Sequence, residues 1–182
     1  ILGATRFSTL KENFSTFSFS YYDDRAADPQ LQVTPRENMR RIVASAKQFV
    51  ADFDTTPQSL LIYGNTGVGK TFLTNCIAHE LINAGHGIVY LSANELLKIL
   101  EDYKFRRNDT DDFETVYERY TSVYECDLLI IDDLGTELTN KVTITELFEL
   151  LNKRQLQHRS TIISTNLSMQ HIKETYSERI FS

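Results

Sequence analysis

At 182 residues, with 41% hydrophobic and 24% charged side chains, the chain has the size and balance of one globular domain able to bury a real core. No apolar run approaches the roughly 20 residues of a membrane span, no leader pattern opens the chain, and a net charge of −6 leaves any nucleic-acid contact to a local patch. Cys76 and Cys126 lie apart from each other and from other metal-ligating residues, which reads as two reduced thiols and a cytoplasmic location.

Residues 1–33 are polar and aromatic, with Phe7, Phe14, Phe17, Phe19, Tyr21 and Tyr22 set among Ser and Thr. They read as an extended arm whose rings pack on the domain that follows, residues 34–182. The chain opens on Ile1 and stops at Ser182 in mid-pattern, so it reads as a piece of a longer protein. Thr34-Pro-Arg-Glu37 is a capping box with proline in the first helical turn. The helix it opens runs to about Phe53, with Met39, Ile42, Val43, Ala46, Phe49 and Val50 on one face.

The stretch Gly64-Asn65-Thr66-Gly67-Val68-Gly69-Lys70-Thr71 satisfies G-x-x-x-x-G-K-[ST], with an apolar strand before it (59–63) and a helical pattern from Phe72 to Asn83 after it. Three of the chain's seven glycines fall inside it. The chemistry needs that order: glycines let successive N–H groups wrap phosphates, and the helix N-terminus adds a favourable dipole. Lys70 is expected to reach the β- and γ-phosphates, and the Thr71 hydroxyl to ligate Mg²⁺. Residues 64–72 are thus candidates for binding a nucleoside triphosphate.

A second strand, Ile88–Leu91, leads into Ser92-Ala-Asn-Glu95, another capping box, whose helix carries Leu96, Leu97, Leu100 and Tyr103. After a polar break at 104–112 comes a helix with Phe113, Val116, Tyr117, Tyr120 and Tyr124. Leu128–Ile131 is an unbroken apolar strand of the kind buried on both faces in a parallel sheet. Asp132 and Asp133 follow it directly. There the first carboxylate is expected to hold Mg²⁺ and the second to orient the attacking water. A helix over about 142–158 ends in Lys153, Arg154, His158 and Arg159, which complement its dipole or form a basic patch. The fourth strand, Thr161–Ser164, runs into Thr165 and Asn166. Asn166 either polarises the attacking water beside the γ-phosphate or is simply a helix cap or turn residue before Leu167-Ser-Met-Gln. Strands alternating with helices mean an α/β fold with a mostly parallel sheet.

The order phosphate loop, Leu-Leu-Ile-Ile-Asp-Asp-Leu-Gly135, Ile-Ile-Ser-Thr-Asn166 resembles the AAA+ ATPases, and within them the initiator and helicase-loader clade of DnaC/DnaI-type loaders and IstB-type transposition helpers. The resemblance covers residues 14–182 and implies a three-layer αβα P-loop NTPase core. It makes Asp132 the Walker B residue, Asp133 and Asn166 catalytic beside Lys70, and Tyr21 or Tyr22 a ring stacked on adenine or packed in the core. Most of that family has Glu where Asp133 stands, which implies slow, switch-like hydrolysis. Ser177-Glu-Arg-Ile-Phe-Ser182 resembles the start of box VII, with Arg179 a supporting arginine. The arginine finger and the helical lid would follow, so this piece is expected to bind ATP but turn it over poorly.

The clade is also expected to grip DNA through an extra helix between the second and third strands. There Lys98, Lys104, Arg106 and Arg107 gather with Tyr103 and Phe105, the composition of a single-strand platform, weakened by Asp109, Asp111 and Asp112. The resemblance implies an ATPase that loads a replicative hexameric helicase onto single-stranded DNA and self-associates through its ATP site, with no membrane partner. A transposition helper on duplex DNA is the near alternative, and a nucleotide-gated scaffold the one from another class. A small-molecule kinase is disfavoured because neither an arginine-rich lid nor an acceptor pocket is visible. The sequence has no Asn-Lys-x-Asp guanine-reading motif, which favours ATP.

Overall fold

Each strand divides its side chains between two apolar clusters, and that division builds the layers. Leu60, Ile62, Ile88, Leu128, Ile130 and Ile162 face one cluster, whereas Leu61, Val89, Leu91, Leu129, Ile131 and Ile163 face the other. Two buried faces explain why the strands read as apolar runs rather than as alternating patterns. The computed structural model describes residues 12–29, 31–105, 113–135 and 141–176. The arm is not wholly extended but makes a 3₁₀ turn at Phe19–Tyr21. The α-helices and strands that follow are, in order, α1 (Pro35–Ala51), β1 (Leu60–Tyr63), α2 (Lys70–Asn83), β2 (Ile88–Ser92), α3 (Ala93–Phe105), α4 (Phe113–Glu125), β3 (Leu128–Leu134), α5 (Lys141–Leu156), β4 (Ser160–Thr165) and α6 (Met169–Tyr176).

The four strands are all parallel, in the order β1-β4-β3-β2. Helices α1 and α2 supply Val43, Phe49, Ile77 and Leu81 to one cluster; α3, α4, α5 and α6 supply Leu100, Val123, Leu150 and Ile172 to the other. The result is the expected three-layer αβα fold. Its order sets β4 beside both the phosphate-loop strand β1 and the Asp-Asp strand β3. The carboxyl ends of those three strands therefore open on one crevice, where ligands bind in such sheets.

The arm rings Phe14, Phe17 and Phe19 pack against the α1/α2 cluster, and Phe17 meets Phe72 edge-on at 5.4 Å. Phe7 lies outside the described residues. Of the two capping boxes, Ser92 and Glu95 form both reciprocal bonds, Ser92 N–H to Glu95 at 2.7 Å and Glu95 N–H to Ser92 Oγ at 3.3 Å. The other is half made: Thr34 accepts from Glu37 N–H, but the Glu37 carboxylate turns to Arg41 at 2.7 Å. The competing ion pair on its own helix draws it away.

One strand differs from expectation. β3 does not end at Ile131 but continues through both aspartates to Leu134. Ile131 pairs with Ile163 and Leu134 with Thr165, so one extra residue is accommodated on β3 as a bulge. Asp133 absorbs it at φ 62°, in the left-handed region. The two carboxylates consequently leave the strand in different directions rather than from a plain loop.

Candidate nucleotide-binding site

The loop between β1 and α2 depends on left-handed glycines. Gly67 has φ 81° and Gly69, the residue that opens α2, φ 95°. A side chain at Gly69 would be strained by its backbone, and its Cβ would meet Tyr22 Oη at 2.7 Å. Only glycine suits this position. Tyr22 reaches over from the arm and donates to Val68 O at 3.0 Å. Burial pushes its phenol above the ordinary value, so the hydroxyl remains a donor.

Lys70 is buried, and its ammonium has three bonded acceptors: Gly64 O at 2.9 Å, Asn65 O at 3.0 Å and Asn166 Oδ1 at 2.5 Å. All three are uncharged oxygens, leaving a buried cation without a carboxylate among these bonds. Buried charges need opposite charge to offset desolvation, and a phosphate fits that need. Asn166 also donates from Nδ2 to Asp133 Oδ1 at 2.9 Å. It links the loop lysine to the second aspartate across three elements. The role of helix cap belongs instead to Ser168, whose Oγ accepts from His171 N–H at 3.2 Å.

Thr71 Oγ1 stands 3.5 and 3.3 Å from the two oxygens of Asp132. A hydroxyl and a carboxylate are the hard oxygen donors Mg²⁺ takes, and that ion commonly uses one or two protein groups with water and phosphate completing its shell. The donor set fits. Asp132 is itself held by Ser164 Oγ, which donates to Oδ1, and by Tyr90 Oη, which donates to Oδ2 at 2.7 Å. Ser164 also accepts from Asp133 N–H at 3.0 Å. Neither Tyr90 nor Ser164 stood out from spacing. The available signal was a hydroxyl in each buried apolar strand, since such groups need partners.

A cleft of about 320 Å³ opens beside the loop, lined by Phe17, Tyr21, Tyr22, Val68 and Phe72 among others. Tyr21 is 88% exposed there, whereas Tyr22 is committed to the loop carbonyl.

The expected DNA-gripping region contains the two helices α3 and α4 between β2 and β3. Lys98 is exposed. Lys104 forms an ion pair with Glu146 of α5, which raises the ammonium above its ordinary value and makes it an inter-helix tie. Tyr103 is stacked on Tyr120 with ring centroids 3.7 Å apart, so that ring is already paired. Arg106, Arg107 and Arg179 lie outside the described residues, as does the Phe105 side chain. The basic cluster at the end of α5 is also revised. Arg154 is fully buried and serves the end of α4, donating to Val123 O at 2.9 Å, Tyr124 O at 3.2 Å and Cys126 O at 3.1 Å.

A profile of the IstB-like ATP binding proteins matches residues 24–182. The replicative helicase loader DnaC of Escherichia coli K12 is 24% identical over 144 residues, 79% of this chain and 57% of that protein. The replicative helicase loader DnaI of Bacillus subtilis 168 is 31% identical over 125 residues, 67% of this chain and 38% of that protein. The chain thus spans little more than half of the DnaC relative's length. A crystal structure of the DnaC helicase loader matches the fold with a TM-score of 0.66 at 21% identity, over 97% of this chain and 92% of that one.

Proposed function

The chain belongs to the family of IstB-like ATP binding proteins, and we propose on that premise that it is a Mg²⁺-dependent, slowly hydrolysing ATPase that loads a replicative DNA helicase onto single-stranded DNA. The observation that carries this reading is the convergence of Lys70, Thr71, Asp132 and Asn166 on one crevice. Two of its relatives are named replicative helicase loaders, which supports the choice of task.

In this reading residues 64–72 wrap the triphosphate, and Lys70 exchanges its uncharged acceptors for phosphate oxygens. Thr71 and Asp132 hold Mg²⁺, which would neutralise charge developing on the phosphates. Asp133 accepts a proton from the attacking water, and Asn166 fixes the angle of that carboxylate. Asp133 has one methylene fewer than Glu and is held at φ 62°, which limits its reach and keeps turnover slow. Exchange of the Lys70 contacts frees Asn166 to report the nucleotide state, through the β3 bulge, to a neighbouring subunit associated through the ATP site. Lys98, Arg106 and Arg107 supply cations for the DNA backbone, with Arg179 supporting the trans-acting site. The protein acts in the cytoplasm with both thiols reduced, and no helix among the described residues is long and apolar enough to cross a membrane.

The family match itself favours a second reading, a transposition helper acting on duplex DNA. Fluorescence anisotropy of single-stranded and duplex oligonucleotides, with and without a Mg-ATP analogue over a salt series, separates the two. The loader is expected to prefer single strands only when the analogue is present and to lose that preference in Lys98→Ala/Arg106→Ala/Arg107→Ala. Preference for duplex supports the transposition helper. Failure to bind either strand form at low salt overturns both.

A further inference from the structure

We propose that Tyr90 is a positioning residue for the Mg²⁺-binding Asp132, holding its carboxylate by a hydrogen bond and tied through Thr74 to the backbone of Thr71, without touching nucleotide. The inference rests on the ATPase reading above. Thr71 Oγ1 and Asp132 approach only to 3.3 and 3.5 Å, longer than the usual hydroxyl hydrogen bond. They do not hold each other in place. Each Asp132 oxygen instead has one firm partner from a neighbouring strand: Ser164 on Oδ1 and Tyr90, at 2.7 Å, on Oδ2.

Strand alternation explains how β2, which lies at the far edge of the sheet from β1, enters the site. Tyr90 follows Ile88, and Asp132 follows Leu128 and Ile130, on the face covered by α2. The Tyr90 side chain therefore lies between that helix and the carboxylate. Its hydroxyl is 3.2 Å from Thr74 Oγ1, and Thr74 Oγ1 donates to Thr71 O at 2.9 Å.

A carboxylate accepts only, so the phenol proton goes to Asp132. The proton at the Thr74–Tyr90 contact must then be that of Thr74, shared with Thr71 O. The links Thr71 O–Thr74–Tyr90–Asp132 form a chain that joins the Asp132 carboxylate to the main chain of α2 at Thr71 through one buried phenol. Hydrogen bonds in such a chain polarise one another. A buried tyrosine hydroxyl needs some partner in any protein. What distinguishes this one is that its hydroxyl bonds the Asp132 carboxylate directly and also meets Thr74, which is bonded to the backbone of Thr71.

The test titrates a fluorescent ATP analogue, N-methylanthraniloyl-ATP, in EDTA and then against MgCl₂. Tyr90→Phe is expected to leave affinity in EDTA within about 2-fold and to raise the half-saturating Mg²⁺ concentration roughly tenfold, the low end of what outer partners of metal ligands contribute. Asp132→Asn alone and Tyr90→Phe/Asp132→Asn are expected to coincide, because the phenol acts through that carboxylate. Thr74→Val, nearly isosteric, should shift the Mg²⁺ requirement in the same direction by a smaller factor. Thr74→Ser should restore it. Equal weakening by Tyr90→Phe with and without Mg²⁺, or additive losses in the double variant, overturns the role of Tyr90 alone. A wild-type protein whose analogue binding does not respond to Mg²⁺ overturns the ATPase reading, and this inference with it.

Discussion

Asp133 combines a backbone requirement with a chemical one, and substitutions can separate them. Its φ of 62° suits glycine, is tolerated by aspartate and is poor for a β-branched residue. Asp133→Gly keeps the bulge without steric cost, whereas Asp133→Val pays about 1–2 kcal/mol for the left-handed backbone. Urea denaturation is expected to rank glycine near wild type and valine clearly below. ATP turnover should fall in both, because both lack the carboxylate. Stability lost equally in the two variants would mean that the Asn166–Asp133 bond, not the backbone, governs this position. The Walker residues were legible in the sequence because their spacing is local: Lys70 and Thr71 open α2 directly after the loop. The positive φ of Asp133 was not legible. It arises from register with β4, which no neighbouring residue reveals.

Among elements, α5 carries a buried guanidinium that binds it to both α4 and β4. Besides the α4 carbonyls, Arg154 donates to Ser160 O at 2.6 Å and to Thr161 Oγ1 at 3.0 Å. Burial pulls the guanidinium below its ordinary value, and its bonded acceptors are uncharged. Its stability contribution comes from several orphan carbonyls satisfied at once, those at the C-terminus of α4 included. Arg154→Met removes the donor these carbonyls share and is expected to cost several kcal/mol, at about 1–3 kcal/mol for each buried acceptor left unsatisfied. Arg154→Lys should recover only a minor part, since three donors on one nitrogen cannot reproduce the planar fork. The shift in urea midpoint measures both. A lysine variant as stable as wild type would show that charge rather than geometry is required. From sequence the residue looked like the end of an amphipathic helix, because its acceptors belong to elements that only folding brings near.

At the level of the whole molecule, burial sets thiol chemistry and alkaline stability. Cys76 is buried in α2, and burial pushes its thiol up to about 12; Cys126 is half-buried and also raised by burial, with Arg154 opposing the rise. A thiol reagent at pH 8 is expected to modify Cys126 slowly and Cys76 only on unfolding. The same burial predicts the sign of a pH dependence. The unfolded thiol titrates near pH 8.5, so between there and about pH 12 the native chain holds the Cys76 proton while the unfolded chain loses it. Native stability is therefore full below that window and falls as pH rises through it. Tyr124, raised chiefly by burial, and Lys104, raised chiefly by its bond to Glu146, push in the same direction. Urea midpoints should decline above pH 9, and less steeply in Cys76→Ala. An identical slope in that variant would assign the decline to the other raised groups, Cys126, Tyr22, Tyr124 and Lys104.

The sequence alone determined the parts whose information is contiguous. These are the alternation of strands and helices, the phosphate loop with its glycines, the aspartate pair after a buried strand, and Asn166 at the end of β4. Each is a run in which residue type and spacing already express the chemistry. The tertiary structure alone decided which distant side chains meet. It placed Tyr90 and Ser164 on Asp132, joined Asn166 to both Lys70 and Asp133, engaged Lys104 with Glu146 and buried Arg154 under α4. Those contacts depend on strand order and register across crossover connections. Parallel strands fix such distances only when the whole sheet has formed, so no local stretch of the sequence can contain them.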